Sequence, residues 1–508
     1  MKCPVTRLQN EFAFKHRPID LHFFNPFPPN LTFYNSNKIN KMSQLSVDCL
    51  NEIIEYLEED NIALYSCLLV NRLWCKVSVR ILWRNIQNCR TIIACLPNES
   101  KEILNKNKII NSASNSKPPL FNYVTFIKNL SIYNIDNIIK CILQNFQSIT
   151  LQSLNHKKYI VATEIYKLLM NQTSLKELYF NSYKIIDTPI ITFISYPGAN
   201  DCLKHLSSLN CRSNVYPEFF YQLSQLCHNI QYLAISFEKI ISNGLTDLIS
   251  VQKNLKYLIM YNFNHEDLTN IIQSLTKLPN TLIKYELYGG RHYIPLSFIT
   301  KFTNLQELVL SFHIYTYNNN YFKYFEKLQY ITFTQLKILK FLFGHPSVEV
   351  LIKFLENNGK NLKEFHICCS DNSLCLAIAK LCPNLRKFFS IENNDLELLK
   401  EFFVSCQYLE SIEIWCGNNY LNDKKALEVV AYYSPRNFYE LKLYYVINTK
   451  SGILSEELEK FFINWKNRTS QKSLSFIIEG YNLEMTNEIK KVIEKYKKFG
   501  TVKECEIF

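Results

Sequence analysis

Glycine is scarce in this 508-residue chain, with ten in all. That scarcity argues against Gly-rich phosphate loops and against the turn chemistry of propeller blades. No apolar run reaches the roughly 18–20 residues that a bilayer-spanning helix needs. The opening stretch "MKCPVTRLQNEFAFKHRPID" is polar and lacks the apolar core of a secretory signal. Charge of one sign is also in short supply. The balance of 57 Lys+Arg against 45 Asp+Glu leaves +12, which gives a chain of this length only weak attraction to polyanions. The 17 cysteines follow no repeating frame. With no signal in front of them, they point to a reducing compartment, cytoplasm or nucleus, and to free thiols packed as small core residues.

Apolar residues, by contrast, make up 47% of the chain and aromatics 14%, enough to bury a large core and too many for a disordered chain. The length suits two domains or one elongated array. From residue 121 onward one short unit recurs. It is plainest in "NLKYLIMYNF" (254–263), "NLQELVLSF" (304–312), "NLKEFHICC" (361–369) and "NLRKFFSIEN" (384–393). Weaker copies place the first apolar residue at 175, 203, 230, 282, 336, 409 and 438, a step of about 26 residues. "IKNLSIYN" (127–134) and "KSLSFIIEG" (472–480) are degenerate end copies. Within a unit the pattern is apolar-x-x-apolar-x-apolar, and its end alternates as a half-buried strand does. The residues that follow often carry helical spacing. A single strand plus helix cannot bury its own apolar face, whereas stacked copies can. The expected fold is therefore α/β: a small all-α bundle, then a solenoid with a curved parallel sheet inside and helices outside.

The bundle is expected over residues 43–86. Leu50, Ile53, Ile54 and Leu57 follow the i, i+3, i+4, i+7 spacing of one helix face. Ser46 is placed to cap that helix, with Asp48 in its first turn, and Asp60 to cap the next. "LLVNRLWCKVSVRILWRNI" (68–86) then carries Arg72, Lys76, Arg80 and Arg84 at a fixed step. Trp74 and Trp83, two of only four tryptophans, lie among them. A phosphate-binding helix has no use for the apolar side formed by Leu73, Trp74, Val77, Ile81 and Trp83. The cations therefore read as the solvated side, and the greasy side as docking surface for a partner. Residues 1–42 form an irregular extension, 87–120 a linker, 121–480 the repeat array, and 481–508 a C-terminal cap of helix and strand.

The repeats resemble leucine-rich repeats of the irregular, cysteine-containing kind, in "LCPNLRKF", "LCHNIQYL" and "SCQYLESI". The segment 43–86 resembles an F-box, with matching positions at Leu45, Asp48, Leu50, Ile53, Ile54, Leu57, Val70, Arg72, Trp74, Leu82 and Trp83. Ser46 stands where that family usually has Pro, and Asn71 where a small Cys or Ser is common. The order of the two segments is that of F-box/leucine-rich-repeat proteins of expanded fungal families. The resemblance implies a substrate-recognition adaptor of a Skp–cullin–F-box ubiquitin ligase. Such a protein has no active site and no cofactor of its own. Leu45, Leu50, Ile53, Ile54, Leu57, Val70, Trp74, Leu82 and Trp83 would bind the Skp-type adaptor, and through it a cullin. The repeats would hold an unknown target protein. Two other readings stay open: a leucine-rich-repeat interaction scaffold outside any ligase, and a basic nucleic-acid-binding protein.

Strand alternation sends the x positions of each repeat to the inner face. That face is expected to show Glu177 and Tyr179, Tyr257 and Ile259, Glu307 and Val309, Glu364 and His366, Lys387 and Phe389, Glu413 and Trp415, and Lys442 and Tyr444. The mixture is two-signed and aromatic, which suits a protein ligand. Tyr179, Tyr257, Glu307, His366, Phe389, Trp415 and Tyr444 are the candidate target-binding residues. A zinc site at His366, Cys368, Cys369, Cys375 and Cys382 is set aside, because the spacing gives no two clean ligand pairs. The ten His are dispersed, and no nucleophile elbow appears. "YGGRHY" (288–293) reads as an inter-repeat loop, and the basic "NEIKKVIEKYKKFG" (487–500) as a capping helix.

Overall fold

The computed structural model describes residues 45–86, 88–110, 119–146, 150–180, 193–263, 266–289, 295–311, 322–342, 344–369, 371–391, 394–417, 420–445, 453–468, 472–480 and 486–507. The expected N-terminal extension and most of "YGGRHY" lie outside these residues. The chain divides into two compact units, 1–78 and 79–508.

The first unit holds α1 (Val47–Glu55), α2 (Asn61–Leu68) and most of α3 (Arg72–Leu82). Each helix start is fixed by a side chain that accepts otherwise unpaired backbone N–H groups. Ser46 Oγ accepts from Cys49 N at 3.2 Å, and Asp60 Oδ1 from Ala63 N at 2.9 Å. Asn71 Oδ1 accepts from both Leu73 N and Trp74 N, at 2.9 and 3.0 Å. Asn71, a departure from the family pattern, thus has a plain physical use as a helix cap. Leu50, Ile54, Leu64, Cys67 and Val77 are buried.

The second unit carries one open sheet of fourteen parallel strands in unbroken sequence order. Its first half is β1 (Asn129–Ser131), β2 (Glu177–Phe180), β3 (Ser208–Arg212), β4 (Tyr232–Ser236), β5 (Tyr257–Asn262), β6 (Lys284–Gly289) and β7 (Glu307–Ser311). The rest is β8 (Ile338–Phe341), β9 (Glu364–Cys369), β10 (Lys387–Ile391), β11 (Ser411–Cys416), β12 (Glu440–Tyr445), β13 (Leu474–Gly480) and β14 (Val502–Ile507). Parallel neighbours require a crossover, which places the connecting helices over one face of the sheet. Consecutive crossover helices pack on one another, as in Val348–Asn358, Asn372–Leu381, Leu396–Ser405 and Asp423–Tyr433. This architecture is a leucine-rich-repeat solenoid.

The repeat ladder is sealed on the helix side. Leu175, Ile230, Leu255, Leu282, Leu305, Leu336, Leu362, Leu385, Leu409 and Phe438 are all buried two residues before their strands. One phase needs correction. The copy "CLKHLSSLN" enters its strand from Leu206, not Leu203, because Ser208 pairs with both Glu177 and Tyr232. Leu203 instead closes the short helix Ala199–Leu203.

Two buried amides tie neighbouring repeats. Gln252 accepts from Ile230 N at 2.9 Å and donates to Cys227 O and Leu248 O, both at 2.8 Å. Asn358 accepts from Phe333 N at 2.7 Å and donates to Ile331 O at 2.8 Å and Phe354 O at 3.0 Å. Gln252 lies just past the helix Asn243–Ser250 and Asn358 ends the helix Val348–Asn358, and each satisfies the turn that enters the strand preceding its helix.

The stretch 87–120 differs from the linker expected there. It forms α4 (Cys89–Cys95) and α5 (Asn98–Lys106), with Ile92, Leu96 and Leu104 buried. Its polar residues find specific partners: Ser100 Oγ donates to Glu164 Oε2 at 2.6 Å, and Lys101 Nζ to Ala94 O at 2.8 Å. The thiols mostly pack as small core residues. Cys227 donates to Leu203 O at 3.2 Å, and Cys406 to Cys382 O at 3.6 Å; burial pushes both thiols up to about 12. Cys375 departs from the expectation of free thiols, since it is disulfide-bonded. Its irregular spacing in sequence carries no signal of that bond.

Candidate functional site

Two surfaces follow from this frame, one on each unit. On the first unit the expected adaptor-binding residues separate by burial. Leu45, Ile53 and Val70 are exposed, and Leu57 and Trp74 half-buried. Leu50, Ile54, Leu82 and Trp83 are buried, so they hold the protein's own structure and are not available for docking. Leu82 and Trp83 belong to the second unit, where the Trp83 ring packs 4.5 Å from that of Tyr123. Sequence reading missed four exposed apolar residues. Tyr56 is 90% exposed, Ile62 82% and Leu69 73%, and Val47 is also open. They fall between the periodic positions, and a large aliphatic off the helix period was the available signal. Arg72, Lys76 and Arg80 are exposed, as the solvated side should be.

On the second unit the register lines up the side chains of the sheet face away from the helices. One row runs Glu177, Ser208, Tyr232, Tyr257, Lys284, Glu307, Ile338, Glu364, Lys387 and Ser411. The next begins at Tyr179 and reaches Ile259, Val309, His366, Phe389, Glu413 and Lys442. Trp415 and Tyr444 sit side by side beyond it. All seven expected target-binding residues therefore share one face. They do not form one cluster, however.

Tyr179 donates to Glu177 Oε2 at 2.7 Å near the start of the array. Tyr257 lies beside Tyr232, with ring centroids 6.4 Å apart. Glu307 binds Lys284, which also reaches Glu286, at 3.1 and 2.7 Å. Ile259 and Val309 point to this face but are buried with Ala234 and Tyr288, in a small apolar cluster that Tyr232, Tyr261 and Leu342 flank. They are floor rather than contact surface, because their aromatic neighbours close over them.

The remaining four residues gather toward the C-terminal strands. His366 stacks on Phe389 at 3.8 Å, and Lys442 Nζ lies 5.5 Å from the centroid of the same ring, within cation–π range. His366 Nε2 meets Glu364 Oε1 at 2.8 Å, and Lys340 meets the same oxygen at 2.7 Å. The His366 contact and Lys340 hold the Glu364 carboxyl down at about 2, against the opposing pull of burial. Burial lowers the His366 imidazole, although the Glu364 carboxylate pulls the other way. Next to this group, Trp415 packs 4.7 Å from Tyr444 and 5.5 Å from Tyr420. No described residue accepts from the buried Trp415 Nε1. A two-signed aromatic surface of this kind can recognise a polar, partly apolar protein segment.

Among the described residues, no three His, Cys, Asp or Glu side chains are grouped to hold a metal ion. His366 lies on the open face while Cys382 is buried in the core, so those two do not converge. No described helix is long and apolar enough to cross a membrane.

No protein-family model matches the sequence, and no curated protein matches it. Solved structures do. A leucine-rich repeat-containing protein from Legionella pneumophila, LegL7, is 14% identical with a TM-score of 0.31, covering 64% of this chain and 90% of its own. The Rad7 and Elc1 complex in yeast contains a chain 12% identical, TM-score 0.36, covering 69% and 88%. A leucine-rich-repeat protein of Leptospira interrogans is 17% identical, TM-score 0.31, covering 69% and 86%. The repeat class rests on the sheet order and register described above.

Proposed function

We propose that this chain is the substrate-recognition adaptor of a Skp–cullin–F-box ubiquitin ligase, working in the cytoplasm or nucleus. In this reading the helices of the first unit dock a Skp-type adaptor, which brings a cullin. The open sheet face of the second unit holds the target protein, and the chain supplies no bond-making chemistry. The observation that carries the reading is the run of exposed apolar side chains on the first unit, within a segment that resembles an F-box. Each large apolar side chain contributes on the order of 1.5–3 kcal/mol when a partner fully buries it.

The test uses the full chain and a purified Skp-type adaptor. Ile53→Asp combined with Val70→Asp alters two exposed residues and should leave the melting temperature unchanged. Adaptor retention should fall at least tenfold. Full retention by the folded double variant would falsify the docking role. Truncating Leu82 is a poorer test, because that side chain is 4% exposed and its loss acts on folding. Adaptor binding without co-purification of a cullin would instead favour a scaffold outside any ligase.

A further inference from the structure

Beside the starts of β8 to β11 lies a cleft of about 310 Å³. Its charged lining is of one sign: Lys337, Lys360, Lys363 and Arg386, with uncharged side chains, Asn384 and Tyr408 among them, forming the rest of the walls. Three of these cations occupy the same motif position, the residue directly before the strand. Backbone hydrogen bonds fix their spacing. Lys363 N donates to Lys337 O at 2.7 Å, and Arg386 N to Lys363 O at 2.8 Å. The backbone positions that carry these side chains therefore step across the array at the strand separation of about 4.8 Å.

Some cations of the array meet a carboxylate from the next strand or its entry, including one, Arg386, within the cleft. Lys284 meets Glu307 at 3.1 Å, Lys340 meets Glu364 at 2.7 Å, and Arg386 meets Glu410 at 3.2 Å. Lys360 and Lys363 have no such partner among the described residues, and Lys337 reaches only the Gln306 amide oxygen at 3.5 Å. Cations held one strand apart repel by roughly 1 kcal/mol per pair even in water; Glu410 offsets this for Arg386, and no described carboxylate does so for Lys337, Lys360 or Lys363.

We infer that this cleft receives the carboxylate side chains of an acidic segment in a protein ligand. The internal pairs show the chemistry, with the missing carboxylates coming from outside. The cleft spans three strands and ends at Glu410, with Glu364 close by. Those carboxylates disfavour a continuous polyanion and suit a short acidic stretch. The inference rests on the reading of the second unit as a protein-binding surface.

The probe is a fluorescein-labelled deca-glutamate peptide, read by anisotropy on the full chain at 0.15 M salt. Lys360→Glu with Lys363→Glu should weaken binding at least tenfold. Lys490→Glu with Lys491→Glu, on the exposed side of the helix Asn487–Lys498, makes the same change in net charge. That control should weaken binding less than twofold. A smaller loss in the cleft variant, an equal loss in both variants, or no binding by the unaltered chain overturns the inference. So does tighter binding, through the same lysines, of an oligothymidylate or a phosphoserine decapeptide of equal charge. Both variants are also assayed for Skp-type adaptor retention. Retention that persists while the peptide result fails separates the loss of this inference from the loss of the adaptor reading.

Discussion

The two units treat their apolar residues in opposite ways. In residues 79–508 the leading aliphatic of each repeat is sealed beneath its neighbours. In residues 45–78 five apolar side chains are buried, Leu50, Ile54, Leu64, Cys67 and Val77, while seven large ones stand exposed: Leu45, Val47, Ile53, Tyr56, Ile62, Leu69 and Val70. A repeat gains its stability from the copies on either side. A segment of some forty residues is too small to cover all of its own apolar surface. The difference between the units is thus one of supply: one covers its leading apolar residues, and the other leaves large apolar side chains exposed.

The largest expected effect attacks the second unit. Asn358→Leu strands the Phe333 N–H and the Ile331 carbonyl in a dry interior, which should cost about 3 kcal/mol. The shift of the urea midpoint measures it, and a change under about 1 kcal/mol would break the picture of Asn358 as a lock between helix end and turn. A smaller effect sharpens the contrast inside the first unit. Ile54→Ala should cost about 2–4 kcal/mol of local stability, while Ile53→Ala next to it should stay within about 0.5 kcal/mol. Hydrogen exchange over α1 to α3 distinguishes the two, and equal effects would mean that the exposed side is no docking surface.

The smallest effect concerns pH. His366 is lowered from its ordinary 6.5, so the unfolded chain takes up that proton first. Its contribution is complete above about 6.5 and is lost as pH falls below that value. Glu364, held at about 2 against an ordinary 4.5, adds a second loss only between about 4.5 and 2. The stability difference between His366→Phe and the unaltered chain should therefore narrow from pH 7 to 5.5 in denaturant melts. A constant difference would remove His366 from the account.

Much of the array was legible because its signal repeats. Ten of the eleven leading apolar positions fall two residues before their strands, and strand alternation placed the x positions on one side of the sheet, where Ile259 and Val309 are nonetheless covered. The exception, Leu203 for Leu206, arose because both leucines fit a three-residue step and only pairing with the flanking strands separates them. The helices of 87–120 were missed because their polar residues look like a linker, and their partners, such as Glu164 for Ser100, lie far away in sequence. Burial within the expected docking set was also hidden. Leu50 and Ile53 share a helix face by periodicity, yet one is covered and the other open, and only tertiary packing decides that. The cations of the cleft were visible in "QLKIL", "NLKEF" and "NLRKF", but their alignment depends on the register.

The paired amides Gln252 and Asn358 also constrain how such an array can change its length. Each one fixes the phase between a helix end and the preceding turn. A single-residue insertion between them shifts the amide off its three partners and leaves each without its bond. Whole modules, in contrast, can be duplicated or lost with their locks intact. Drift in length is therefore channelled into the segments after the strands, and the scaffold is inherited in quanta of one repeat.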